Sequence, residues 1–300
     1  MRRQVGVGMF ILLLLGGTMP CNAQQRLKIY ISADMEGIAG VVTDEQLGPN
    51  GFEYQRFREF MTAEVNAAIE AARQAGATDI VVSDSHGNGQ NLLIEKLPKD
   101  VTVVRAWPRP LMMMQGIDET FDGAIFIGYH ASAANPQGVR AHTISSARFA
   151  DVRLNGVSVS EAVINAAIAG HFNVPVIMIS GDDAAVGEAA TVLGNIETAV
   201  VKWNYGFHSA RTLTPEAATE VIRQKVRAAI GRIKEFKPYR VRTPVTLEIQ
   251  FKNYRPAEIL SYLPIVERIG SRTIRMVGKD MIEVSKFLEF VVTYDPSLAP

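Results

Sequence analysis

The sequence has a single cysteine and no excess of charge of either sign. The cysteine, Cys21, lies in an N-terminal segment, so the rest of the chain cannot form a disulfide bond. Lys and Arg together number 31, as do Asp and Glu, which argues against the basic surface of a nucleic-acid-binding protein. The sequence also contains no internal repeat and no low-complexity tract. These absences favour an apolar small molecule or a peptide as partner, rather than a polyanion.

The N-terminal segment predicts export. A basic start is followed by an apolar core from Val5 to Gly17 and by small residues up to Ala23. This pattern is typical of a secretory signal peptide over residues 1–23, with cleavage before Gln24. The apolar core is too short for an ordinary membrane span, so we expect a periplasmic or secreted protein with no stable membrane association after cleavage. A retained N-terminal anchor and lipidation at Cys21 are the alternatives.

The first apolar strand ends in two carboxylates. Residues 27–33 are followed by Asp34, Glu36 and Gly37. Alternate side chains of a strand share a face, so these two carboxylates can point to one place if the chain stays extended. Two adjacent carboxylates repel each other unless a proton or a cation lies between them, which indicates a metal site. For a lone Asp-x-Glu, however, a helix cap and a solvated loop are the commoner explanation.

Two later strands end in histidine, which favours the metal site. The apolar run 78–83 leads to His86, and the run 123–128 leads to His130. Ligands of an open, mostly parallel sheet bind beyond the carboxyl ends of its strands. We therefore expect three strand ends to bring their side chains together at one edge of the sheet.

Further candidates follow the third strand. His142 comes after a loop of small and polar residues, 131–140, and we expect it to lie outside the strand-end cluster, mobile enough to act in catalysis. Glu161 begins a predicted helix, where the helix dipole already explains a carboxylate. Asp182 and Asp183 end another buried run and are secondary candidates, which helix capping explains almost as well.

The alternation of strands and helices predicts an α/β fold. We expect a mostly parallel sheet with flanking helices that carries the metal site at its strand ends, plus a smaller C-terminal α+β subdomain. After the signal peptide, the predicted domains are an α/β metal-binding catalytic domain at 24–210 and the α+β subdomain at 211–300. Asn155-Gly156 predicts a β-hairpin, and residues 204–210 are predicted to be irregular. Hydrophobic residues at 47% and charged residues at 21% are typical of globular domains.

The order of these motifs resembles that of the D-aminopeptidase (DppA-like) family of binuclear zinc metallopeptidases. The resemblance covers nearly the whole chain after the N-terminal segment, and several linked motifs carry it. They are Ser32-Ala33-Asp34-Met35-Glu36-Gly37, Asp84-Ser85-His86, Gly128-Tyr129-His130 and Asn253-Tyr254.

The resemblance implies a site, an activity and an assembly. The matching positions are Asp34 as a ligand that bridges two zinc ions, Glu36, His86, His130 and Glu161 as the other metal ligands, and His142 as the catalytic residue. Glu161 becomes a ligand only through this resemblance. The implied reaction releases an N-terminal D-amino acid from short peptides, such as those that contain D-alanine. A homo-oligomer is implied as well, because some members form ring-shaped decamers.

Several alternatives stay open at this point. Histidine and carboxylate ligands without thiolate suit two Zn²⁺ ions, but manganese or cobalt could bind the same donors. An exported protein that binds small peptides or metal without catalysis would share these features. Another two-metal hydrolase, an amidase or a phosphoesterase, is the second alternative. The balanced charge and the lack of an evident Arg or Lys clamp argue against a phosphate substrate.

Overall fold

The computed structural model describes residues 26–294, together with the isolated residues 1, 4 and 6. The predicted signal peptide, residues 1–23, therefore falls outside the continuous described range. Within that range, no helix combines the length and the apolar character that a membrane crossing requires.

Residues 26–294 contain twelve strands and six α-helices. The strands are β1 (Lys28–Ala33), β2 (Asp79–Asp84), β3 (Thr102–Val104), β4 (Gly123–Tyr129), β5 (Phe149–Leu154), β6 (Val157–Ser158), β7 (Val176–Asp182), β8 (Glu197–Gly206), β9 (Ser209–Thr212), β10 (Val245–Phe251), β11 (Val266–Gly270) and β12 (Thr273–Gly278). The helices are α1 (Tyr54–Gln74), α2 (Glu161–His171), α3 (Asp183–Leu193), α4 (Pro215–Gly231), α5 (Tyr254–Leu260) and α6 (Met281–Thr293).

The first sheet has seven strands in the order β3-β2-β1-β4-β7-β8-β9. Every neighbouring pair is parallel except the edge pair of β8 with β9. The chain runs outward from β1 to β3 and then returns to place β4 on the other side of β1. Such a reversal of strand order leaves a crevice beyond the carboxyl ends of the two central strands. The predicted mostly parallel sheet is confirmed, and the first candidate ligands follow β1 and β4.

The second sheet has five antiparallel strands in the order β11-β12-β10-β5-β6. The predicted hairpin at Asn155-Gly156 joins β5 to β6, and both turn residues have positive φ, as a type I′ turn requires. This hairpin comes from the middle of the chain, whereas α4, after residue 211, packs on α1. The division into domains 24–210 and 211–300 stays a prediction. Strands β5 and β6 from the first predicted domain join the sheet of the second, and α4 from the second packs on α1 of the first.

Two apolar cores cover the faces of the first sheet. Ile29 and Ile31 of β1 lie in the core beneath α1 and α4, whereas Tyr30 between them faces the core that α2, α6 and the second sheet complete. This alternation follows from the two-residue period of a strand. Since both faces are covered, the central strands β1, β4 and β7 are buried along nearly their whole length.

Some elements differ from the sequence predictions. The predicted irregular stretch 204–210 is wrong, because β8 continues to Gly206 and turns back into β9. Strand β9 is a mostly exposed edge strand of polar residues, so no alternation of apolar side chains marks it. Helix α3 and strand β11 were not predicted either. The first four residues of α3, Asp183-Ala184-Ala185-Val186, continue from a buried strand with no loop between them.

Candidate metal centre

The strand ends of the first sheet meet in a tight backbone arrangement. Gly37 donates its N–H to the carbonyl of Gly128 at 2.7 Å. A Cβ atom at Gly37 would lie 2.1 Å from the carbonyl oxygen of Tyr129, so only glycine fits at this position. Asp34 and Glu36 lie in the turn that follows β1, and the turn, rather than strand alternation, brings their carboxylates together.

Six side chains form two groups of candidate ligands. Within each group the ligand atoms lie within 4.8 Å of one another. The first group is Asp34, Glu36 and His86, and the second group is His130, His142 and Glu161. The structure thus brings together the five predicted metal ligands and the predicted catalytic residue, His142.

Asp34 connects the two groups. Its Oδ1 lies 3.3 Å from Nδ1 of His86, and its Oδ2 lies 3.4 Å from Nε2 of His130. Glu36 also reaches both groups, with Oε2 2.8 Å from Nδ1 of His86 and Oε1 3.9 Å from Nε2 of His142. A central carboxylate with one oxygen toward each group has the geometry of a bridging ligand.

Each histidine of the site is oriented by a backbone carbonyl. The bonds run from His86 Nε2 to Leu47 O at 2.7 Å, from His130 Nδ1 to Ala131 O at 3.0 Å, and from His142 Nδ1 to Arg140 O at 2.8 Å. A carbonyl oxygen only accepts, so each of these ring nitrogens donates, and the other nitrogen of a neutral ring carries a lone pair. In all three residues that second nitrogen faces carboxylate oxygens. Metal-ligating histidines in proteins are oriented in this way.

Two buried atoms at the centre of the site have no hydrogen-bond partner among the described residues. They are Oδ2 of Asp34 and Nε2 of His130. A buried polar atom left without a partner costs roughly 1–3 kcal/mol, and a bound ion is one of the explanations for such an atom. The donors are imidazole and carboxylate with no thiol, a set that suits Zn²⁺ and also other divalent first-row metals. The residues present therefore fit metal ions.

The electrostatics of the first group favour positive charge. Burial and the carboxylate of Glu36 both raise the pKa of Asp34. Burial opposes the charge of Glu36, but His86 outweighs burial and holds the pKa of Glu36 well below its usual value. Burial likewise opposes the charge of His86, and the carboxylates of Glu36 and Asp34 outweigh it, so the pKa of His86 lies well above its usual value. A cation between these residues is thus strongly stabilised.

His142 lies inside the cluster, and the prediction that it lies outside is wrong. Its ring stacks on that of His130, with the ring centroids 3.9 Å apart. The loop after His130 folds back on itself, because the backbone N–H of His142 donates to the carbonyl of Ala131. Burial and the neighbouring His130 lower the pKa of His142. Its ring is therefore neutral near pH 7, as a proton acceptor or a ligand must be.

The other predicted carboxylates are Glu161, Asp182 and Asp183, and only Glu161 lies in the site. Glu161, at the first position of α2, lies 3.3 Å from Nε2 of His130 and also accepts the N–H of Ile144. Asp182 caps α3 by accepting the N–H of Ala185, and Asp183 is exposed. Asp182 and Asp183 thus fall outside both groups.

Two buried ionisable residues that were not predicted from the sequence lie beneath the first group. The ammonium of Lys202 donates to the carbonyls of Glu36, Ile38 and Val41, and burial lowers its pKa to about 8. Glu64 of α1 accepts the N–H of Ala39 at 2.9 Å. Both residues hold the turn that carries Glu36. A lone lysine within the apolar half of β8 is the one signal that could have revealed this support.

Comparison with known proteins identifies related chains. Residues 27–290 match the model of peptidase family M55, described as D-aminopeptidase. The D-aminopeptidase of Bacillus subtilis strain 168 is 36% identical over 261 residues, which covers 86% of this chain and 93% of that protein. A solved structure, that of the Zn-dependent D-aminopeptidase DppA from Bacillus subtilis, a self-compartmentalizing protease, matches with a TM-score of 0.85 and 34% identity. The match covers 89% of this chain and 97% of that one.

Proposed function

The chain belongs to the D-aminopeptidase family, and we propose that it is an exported enzyme that uses two metal ions to release an N-terminal D-amino acid, typically D-alanine, from short peptides. Membership of this family makes it a metallopeptidase. One observation carries the two-metal proposal. Three buried histidines, each fixed by a backbone carbonyl, present their second nitrogen to carboxylates in two adjoining groups.

The geometry supports an assignment of ligands. Glu36 and His86 would hold one ion, and His130 and Glu161 the other. Asp34 would contact both, since its two carboxylate oxygens face the two groups separately. Zinc is the proposed metal, because the donors suit it and the Bacillus subtilis relative is described as Zn-dependent.

The residues of the chain have defined tasks in the reaction. When bound, a pair of divalent ions supplies an acidified water as nucleophile and a Lewis acid for the scissile carbonyl. We assign His142 a proton shuttle: Nδ1 donates to the carbonyl of Arg140, so the lone pair on Nε2 faces the site, where it would accept a proton from the attacking water and pass that proton to the leaving amine.

Export is proposed from residues 1–23 alone. The basic start, the apolar core and the small residues before Gln24 support cleavage and a periplasmic or secreted protein. The intact mass of the exported protein tests this, and we expect a chain that begins at Gln24. A full-length product retained in the cytoplasm would contradict export.

We also propose a homo-oligomer, in the form of a decamer. Exposed apolar side chains around α5 and β11 support contacts between copies, since an exposed apolar patch usually marks an interaction surface. They are Tyr254, Ile259, Tyr262 and Ile265. Light scattering of purified protein tests the assembly, and a monomer at micromolar concentration would contradict it.

One experiment separates the proposed function from its alternatives. Purified protein is loaded with zinc, analysed for metal, and assayed on D-Ala-D-Ala, L-Ala-L-Ala and a nitrophenyl phosphate, with and without a chelator. We expect about two ions per chain and hydrolysis of D-Ala-D-Ala that the chelator abolishes. Binding without turnover would favour the peptide-binding alternative, and turnover of the phosphate ester would favour a phosphoesterase.

A further inference from the structure

A cleft extends from the metal centre toward the C-terminal helix. It has a volume of about 510 Å³ and reaches Glu161 and the backbone on either side of His86. This volume lies in the roughly 300–1,000 Å³ range of small-molecule sites. The cleft is therefore of a size for a short peptide and is too small for a long polypeptide.

The cleft is lined by both apolar and charged side chains. Trp107, Met113 and Ile144 form part of the wall, and Arg148 and Glu289 lie along the same cleft. An apolar pocket with a few fixed polar groups is the usual form of a site that orients a small ligand. The charged residues are thus the groups that can set the direction of a bound peptide.

Arg148 keeps most of its hydrogen-bonding capacity for a ligand. Its guanidinium donates once, to the carbonyl of Val292 in α6 at 2.9 Å. That bond fixes the side chain, while Arg148 forms no ion pair within residues 26–294. Glu289 lines the same cleft but forms no ion pair with Arg148 among the described residues, and its Oε1 accepts from the backbone of Arg109 and the hydroxyl of Thr293. A fixed, planar donor of this kind matches a carboxylate.

One cleft joins the metal centre to Arg148, because its lining includes both Glu161 and Arg148. The first peptide bond of a substrate must lie at the metal centre for an N-terminal residue to be released. The remainder of the peptide then lies along the cleft, where the guanidinium of Arg148 is available to its C-terminal carboxylate.

We propose that Arg148 binds the C-terminal carboxylate of the substrate and so makes the enzyme specific for short peptides with a free C-terminus. The inference rests on the proposed function, because it assumes that peptides are cleaved at the metal end. In this arrangement, the part of the substrate that leaves as the amine product lies in the cleft. Charge-assisted hydrogen bonds of this kind are worth enough to select about 10–100-fold for the free acid over the amide.

The test compares D-Ala-D-Ala with its C-terminal amide. We expect the zinc-loaded protein to show kcat/KM about 10–100-fold higher for the free acid. Arg148→Gln should reduce that ratio to about one, and Arg148→Lys should give an intermediate ratio, because lysine keeps the charge but lacks the planar fork. Arg56→Gln, at an exposed position of α1 outside the cleft, is the matched control and should keep the wild-type ratio.

A binding measurement separates this inference from the proposed function. Calorimetry measures the affinity of both peptides for the zinc-loaded His142→Ala protein, with and without Arg148→Gln. If wild-type protein hydrolyses neither peptide but the free acid binds more tightly through Arg148, the peptidase proposal fails and the inference stands. The inference would be overturned if wild-type protein had the same kcat/KM and the same affinity for the free acid and the amide. It would also be overturned if Arg148→Gln left the acid-to-amide ratio unchanged. Binding of neither peptide would overturn both.

Discussion

The two groups of the metal centre are built in different ways. The first group, Asp34, Glu36 and His86, comes from short turns directly after β1 and β2, which are neighbours in the parallel sheet. In the second group only His130 follows a strand, while His142 comes from a folded-back loop and Glu161 from the start of α2. One group is therefore placed by sheet topology and the other by tertiary packing.

The support beneath the two groups differs as well. Lys202 and Glu64 are buried under the turn of the first group and hold its backbone by hydrogen bonds. In the second group, the loop that carries His142 is held by bonds from its backbone to Asp182 and Phe207, and His142 stacks on His130. The first group is thus supported by buried ionisable residues and the second by loop contacts, Asp34 lies between them, and substitutions can separate their contributions.

The largest effect is expected at Asp34, where the two groups meet. Asp34→Asn keeps the shape of the side chain but removes the charge that faces both His86 and His130. We expect both ions to be lost together and the turnover of D-Ala-D-Ala to fall by roughly 10³-fold or more, since metal ions contribute several kcal/mol to such reactions. Elemental analysis and a peptidase assay on the purified variant measure both changes.

The matched pair His86→Ala and His130→Ala sharpens this comparison. Each variant removes a ligand from one group only, so each should lose mainly one ion. If Asp34→Asn also loses only one ion, the bridge is absent and the two groups are independent sites.

The next largest effect concerns His142, the residue whose position differs most from expectation. If it transfers a proton and does not hold metal, His142→Ala should lower turnover by about 10²–10⁴-fold with a much smaller change in the Michaelis constant. The metal content should stay at the wild-type value. Turnover kinetics and elemental analysis of the same sample provide the measurement.

The position of His142 makes this test decisive. Its Nε2 lies 3.7 Å from Oε1 of Glu161, close enough for both to share an ion after a small movement. Loss of one ion in His142→Ala would make it a ligand of the second group. Retained turnover with full metal content would remove it from the chemistry altogether.

The parallel sheet and the ligands that directly follow its strands could be predicted from the sequence. The alternation of apolar runs and helices predicted the parallel sheet, and its topology then predicted that Asp34, Glu36, His86 and His130 converge. These residues follow directly from strand ends, so no knowledge of long-range packing was needed. Resemblance alone placed Glu161, because its position at a helix start has a complete local explanation.

Other features depend on packing that no local pattern records. Nothing near His142 in the sequence shows that its loop returns to Ala131. Lys202 and Glu64 acquire their roles only when β8 and α1 are packed against the same turn. Edge strand β9 is exposed and polar, so neither its strand character nor its place beside β8 is marked by hydrophobicity.

The smallest expected effect is the pH dependence that Glu64, beneath the first group, gives to the free energy of unfolding. Burial raises the pKa of Glu64 from 4.5 to about 7. The folded protein therefore keeps this proton at pH values where the unfolded chain has lost it. Stability is then lost as pH rises from about 4.5 to about 7, by about 3 kcal/mol for this residue alone. Glu64→Gln removes this loss and can still accept the N–H of Ala39 with its amide oxygen.

Urea unfolding of chelated wild-type and Glu64→Gln protein at pH 4.5 and pH 7.5 measures this difference. We expect the variant to gain about 3 kcal/mol relative to wild type between the two pH values. Lys202 does not contribute to this change, because burial lowers its pKa from 10.5 to about 8, and the stability linked to it changes only between those values. If the difference in free energy of unfolding between the two proteins is the same at both pH values, Glu64 is ionised in the folded protein and the prediction is wrong.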